Sequence, residues 1–164
     1  MRHILRRREW LADEFRYLGE DGAAESGAVI VPFAEWRNAP QRWGGFAGAL
    51  GVRLSPIDRV EELAPDLARF RVVAVEFPAP GEGRGYTTGR LLRERYGFTG
   101  ELRAVGAGVK QDLVFLLARC GFDSFDLAAG QTPESALLAL HRYDVAYQPG
   151  DPRVPLRAQR FHTL

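Results

Sequence analysis

The chain has 164 residues, 46% of them hydrophobic and 26% charged, with a formal net charge of +1; this is enough to close one hydrophobic core but short for two domains, and near-neutrality argues against wrapping nucleic acid by bulk electrostatics. Cys120 is the single cysteine, which rules out an intramolecular disulfide and argues against a cysteine zinc site. No apolar run approaches the roughly 20 residues of a membrane span and the basic start MRHILRRREW has no apolar segment behind it, so the expectation is a cytoplasmic protein with no membrane partner.

In chain order, Trp10, Phe15 and Tyr17 around Ala12-Asp13-Glu14 suit a small amino-terminal β-hairpin within residues 1–20. After the turn-like EDGAAESG, the run AVIVP reads as a buried strand. GVRLSP reads as a further strand. Asp58 with Glu61 forms a capping-box start for a helix burying Val60, Leu63, Leu67 and Phe70, bent or interrupted by Pro65. RVVAVEFP is the strongest strand signal, a β-branched run expected at the centre of a sheet covered on both faces. The helix that follows places Thr88, Leu91, Leu92 and Tyr96 inward and Arg90, Arg93 and Glu94 outward, and Gly97 ends it. Then come ELRAV as a strand, Asp112 to Cys120 as an apolar helix stopped by Gly121, and SFDL as a short strand. A last helix opens on Thr132-Pro133 and runs to about Tyr143.

Strands alternating with helices mean an α/β fold with a mainly parallel sheet of about five strands, either flavodoxin-like or part of a β/α barrel. Residues 1–147 form one such domain, hairpin included, and 148–164 a tail containing proline and arginine. Ligands of such folds lie beyond the carboxyl ends of the strands, which here hold Ser55, Glu76, the loop after RVVAVEFP, Gly106 and Asp126.

That loop, GEGRGYTTG, resembles a dinucleotide fingerprint, but Gly83, Gly85 and Gly89 are spaced one residue too long and no acid ends the next strand. No lysine follows the glycines, which excludes a P-loop. What remains is an anion site made by Arg84, Gly85, Tyr86, Thr87 and Thr88 at a helix amino terminus, or a tight structural connection. Lys110 is the sole lysine among 22 Lys and Arg residues; arginine-heavy codon usage accounts for this as well as selection does, so arginine abundance alone argues for no site. Glu76 is the candidate general base, or else the ion-pair partner of Arg84 or Arg103. His3, His141 and His162 lack ligand spacing, so no metal is expected. Cys120 reads as a core thiol, with no dithiol or convincing nucleotide loop for redox chemistry and no cofactor announced.

VVAVEFP, GRGYTTGRLLRERYGFTGELRAVG and LLARCGFDSFDL, in this order and spacing, resemble the bacterial domain of unknown function 934 from roughly Ala28 to Gln148. Such proteins are often labelled putative oxidoreductases, and their genes commonly lie beside that of an assimilatory sulfite or nitrite reductase. The resemblance therefore implies a role in sulfur assimilation, as an accessory protein that binds sulfite reductase or an anionic sulfur compound. The alternatives are a small enzyme acting on an oxyanion-bearing substrate, and a self-associating domain. The family's G-D-V is here Gly106-Ala107-Gly108, so an activity needing that aspartate would be lost.

Overall fold

The structure, a computed structural model, describes residues 2–19 and 27–141. Most of the turn EDGAAESG, the end of the last helix at Tyr143, the tail from 148 and His162 lie outside the described residues. The described residues form an eight-stranded sheet, larger than the five strands read from the sequence. Those five are all present: β4 (Ala28–Pro32), β5 (Ala49–Leu54), β6 (Val72–Glu76), β7 (Glu101–Val105) and β8 (Ser124–Phe125). The three added strands come from the first twenty residues: β1 (His3–Arg6), β2 (Glu9–Ala12) and β3 (Arg16–Tyr17). The sheet order is β2-β1-β8-β7-β6-β5-β4-β3.

From β3 to β8 the strands are parallel and follow chain order without reversal, so the flavodoxin-like switch in strand order is missing. The sheet curls. Its two edge strands, β2 and β3, are joined by Asp13–Phe15 alone, a link that spans at most about 15 Å at 3.8 Å per Cα step. A flat sheet of this width would hold its edges about 34 Å apart at ~4.8 Å per strand. The hairpin itself turns at Arg7-Arg8, whose φ values of 49° and 71° give the twist that two-residue hairpin loops require. Ala12-Asp13-Glu14, around which the sequence suggested a hairpin, carries the chain across the open side of the curl instead.

The outer, convex face is covered by helices. α1 (Phe33–Asn38), α2 (Val60–Leu63), α3 (Arg84–Arg90) with the π turn that continues it over Leu91–Arg95, α4 (Val114–Arg119) and α5 (Pro133–His141) bury Trp36, Leu63, Leu92, Leu117 and Ala136 against Val31, Val52, Val73, Val75 and Phe125. Each strand alternates, so the opposite set lies on the concave face: Tyr17, Ile30, Val72, Ala74 and Val105, with Phe15 folded over them. β6 is central and covered on both faces, as its β-branched run implies.

Two local readings are corrected. Asp58 does not cap a helix through Glu61: its Oδ2 accepts from the Ser55 N–H and Oγ, both at 2.7 Å, and Arg59 precedes α2. The four apolar residues are buried as expected, and from Ala64-Pro65 the chain tightens into a 3₁₀ turn over Ala64–Arg69. The second correction is Arg93, which does not face outward but is 8% exposed. α3 continues as a wide π turn over Leu91–Arg95, whose extra residue per turn shifts the helical phase and swings Arg93 inward. Arg90 and Glu94 do face solvent, paired at 3.0 Å, and Gly97 closes the helix with φ +63°. Thr132 caps α5, its Oγ1 accepting from the Ser135 N–H at 3.3 Å.

Candidate functional site

The loop after β6 is tied down by packing. A Cβ on Gly85 would lie 2.4 Å from Phe77 Cζ, and one on Gly89 2.5 Å from Phe122 Cε2 and 3.1 Å from the Cys120 carbonyl. These glycines, four apart on one helix face, let α3 lie against two aromatic rings that themselves meet edge to face at 5.6 Å. Gly83 has open space around it and an ordinary φ of −82°. Two of the three fingerprint-like glycines thus serve close packing.

Of the five residues proposed for an anion, Arg84 and Thr87 are exposed, Thr88 is half-buried, Gly85 is buried, and Tyr86 packs edge-on against Phe77 with centroids 5.3 Å apart. The Arg84 N–H donates to Glu82 Oε1 at 3.0 Å, so a carboxylate of the chain itself already sits on the first amide of α3. Tyr86 and Thr87 are adjacent on the helix and point about 100° apart.

The next loop also lies backbone to backbone. Gly106 has φ +108°, its hypothetical Cβ would meet the Phe77 carbonyl at 2.6 Å, and the Gly108 N–H donates to that carbonyl at 2.7 Å. Only glycine permits this approach. Ala107 between them is exposed, so the aspartate of the family pattern would stand free at the carboxyl end of β7.

The segments GF-GELRA and RCGFD meet in one knot around Arg93. Its guanidinium donates to the carbonyls of Gly121 (2.9 Å), Phe98 (2.6 Å) and Gly100 (2.8 Å) and to Asp123 Oδ2 (3.0 Å). Asp123 Oδ1 in turn accepts from the Leu102 N–H at 2.9 Å. Burial pushes the Asp123 carboxyl up, although Arg93 and the Leu102 amide oppose it. Beside the knot, at the amino ends of β6 and β7, an open groove of ≈ 430 Å³ is lined by Leu67, Phe70, Arg71, Tyr96 and Phe98. It lies at the opposite end of the strands from the edge where ligands of parallel folds bind.

The concave face carries the charges. Arg103 and Asp13, both with side chains 0% exposed, pair at 2.8 Å. Arg103 Nε also donates to Glu101 Oε1 at 2.8 Å, which accepts from Ser124 Oγ at 2.6 Å, while Arg6 reaches Glu101 Oε2 at 3.3 Å. Burial alone would raise the Glu101 carboxyl; Arg103 and these hydrogen bonds outweigh it and hold it below its ordinary value. Nearby, the buried Tyr17 hydroxyl has no hydrogen-bond partner of good geometry, and burial pushes this phenol up to about 12 against the opposing pull of Arg103. The guanidinium carbons of Arg2 and Arg53 lie 4.6 and 5.9 Å from the centre of the Tyr17 ring.

Glu76 ends β6 on the same concave face, half-buried. It pairs with neither Arg84 nor Arg103 among the described residues: Arg103 is taken by Asp13 and Glu101. The sequence reading missed Arg53. Its signal was present, since the alternation of Val52 and Leu54 outward puts Arg53 inward at the carboxyl end of β5.

Cys120 is half-buried at the end of α4, and burial holds its thiol above the ordinary value despite Arg90 and Arg119. His3 stacks on Trp10 with centroids 5.8 Å apart, and His141 contacts the Leu137 carbonyl at 2.7 Å on α5. Among the described residues no group of three His, Cys, Asp or Glu side chains is placed to hold a metal ion, and no helix is long and apolar enough to cross a membrane.

No curated protein matches the chain, and no solved structure does. The family model described as "Bacterial protein of unknown function (DUF934)" matches residues 51–156, which span α2 and β6 through α5 and include the Arg93 knot and the glycine-packed α3, and the chain belongs to that family.

Proposed function

We propose that the chain is an accessory protein of assimilatory sulfite reduction that acts by binding, either to the reductase or to an anionic sulfur compound, and not through redox chemistry of its own. The observation that carries this reading is the Arg93 knot. The segments most characteristic of the chain spend their polar groups on one another: this fixes the shape of a surface and leaves few groups free for chemistry. The single thiol supports the same reading, because burial disfavours the thiolate that a nucleophile or redox centre needs. The sulfur context comes from the family resemblance. Pull-down with the reductase, and sulfite reduction measured with and without the chain, test the idea: association or a changed rate is expected, and neither effect would refute it.

A second reading, an enzyme acting on an oxyanion-bearing substrate at the carboxyl ends of the strands, is favoured by Glu76. This carboxylate is half-buried on the concave face and forms no ion pair with the described residues, the setting in which a general base operates. Turnover of small oxyanion esters that disappears in Glu76→Gln would establish it.

A further inference from the structure

Most charges of the concave face are matched: Asp13 and Glu101 with Arg103, Arg6 with Glu101, Arg2 with Asp126 at 3.8 Å. Two are not. Among the described residues Arg53 has no carboxylate and Glu76 no cation within 4.0 Å. Both are half-buried, and leaving opposite charges half-desolvated and unjoined is costly unless something else joins them.

The register explains the gap. Arg53 of β5 stands opposite Ala74 of β6, and Glu76 lies two residues further along that strand, so the two Cα atoms are diagonal neighbours about 8 Å apart. Both side chains project from the concave face at the carboxyl ends of their strands. Arg53 is packed over the Tyr17 ring. A guanidinium held by its face keeps its N–H edges available for an oxyanion. The ring belongs to a residue only 6% exposed, which fixes the platform on which Arg53 rests. Arg84, by contrast, lies on the exposed start of α3.

We propose that the mouth of the concave face, between Arg53 and Glu76, is a binding site for a small oxyanion that still carries a proton. Arg53 takes the anionic oxygens, and Glu76 accepts the remaining O–H. A fully deprotonated dianion is rejected, because its oxygens would face the Glu76 carboxylate with no proton between them. The inference rests on the ligand-binding half of the reading above and is independent of any contact with the reductase.

Isothermal titration of the full chain at neutral pH with inorganic phosphate, sulfite and sulfate tests it. Phosphate and sulfite, which retain a proton wholly or in part, are expected to bind, and sulfate at least about tenfold more weakly. Arg53→Gln should lower phosphate affinity by at least about tenfold, and Arg84→Gln should leave it within about twofold. Glu76→Gln, whose amide can donate, should narrow the gap between phosphate and sulfate. Circular dichroism confirms that each variant is folded. Equal binding of sulfate and phosphate, unchanged affinity in Arg53→Gln, loss of binding in Arg84→Gln, or no heat with any anion each overturns the proposal. Reductase capture run on the same samples separates the two ideas: capture without anion binding refutes this site alone.

Discussion

Replacing Arg93 with methionine keeps the apolar stem and deletes the four hydrogen bonds of the knot. Arg93 is 8% exposed, and its guanidinium reaches three carbonyls and Asp123 at 2.6 to 3.0 Å. The Asp123 side chain is 36% exposed and can be rehydrated, so the loss falls mainly on the carbonyls left without a donor, about 1–3 kcal/mol. For a chain of this size that corresponds to a melting temperature lower by roughly 2–12 °C. The pH dependence adds a second, sharper test. The Asp123 carboxyl is already raised by burial, with Arg93 opposing, so without Arg93 it rises further. An acid whose folded pKa lies above its unfolded value contributes stability present below the unfolded pKa and lost as pH rises through the folded one. The deficit of Arg93→Met should therefore be largest at neutral pH and shrink as pH falls into the carboxylate range. Urea denaturation of both proteins across that range measures this. A deficit under about 1 kcal/mol, or one that does not change with pH, would refute a buried knot.

Gly89→Ala should lose about 1–3 kcal/mol to the clash with Phe122 and the Cys120 carbonyl, even though alanine favours helices by about 1 kcal/mol; Gly83→Ala should be near neutral, and equal losses at both positions would contradict the packing account. Glu101 is held below its ordinary pKa, so its contribution is present above the unfolded carboxylate value and lost as pH falls through the folded one; Glu101→Gln should flatten that part of the acid-denaturation curve. Alkylation of Cys120 by iodoacetamide should be slower at neutral pH than that of an unperturbed free thiol and should accelerate at higher pH than usual; a faster rate would reopen the case for a reactive thiol.

How much was legible in the sequence depends on the range of the interactions. The five strands, the buried stripe of α2, the glycine end of α3 and the Thr132 cap were all readable, because period and capping are local properties. Of the additional strands, the amino-terminal hairpin was readable, though with its turn placed at Ala12-Asp13-Glu14, whereas its joining to β8 and the strand β3 were not. β3 is two residues long and exists through its pairing with β4; no periodicity announces so short a strand. Arg93 was misread for a similar reason, since a polar residue counts as outward on a helical wheel until a tertiary structure supplies four acceptors. The use of Gly85 and Gly89 in the glycine loop became visible only with Phe77 and Phe122 beside them.

The sequence by itself therefore determined the α/β class, the order of the elements, the edge at which a ligand is expected and the family, because hydrophobic period, capping and motif order are written along the chain. The tertiary structure alone decided the curl of the sheet, since it depends on two edges being bridged by Asp13–Phe15. It also decided which charges are spent on one another and which, Arg53 and Glu76, are left facing the same space: pairing is a matter of distance between strands, and distance in space is what a linear sequence does not record.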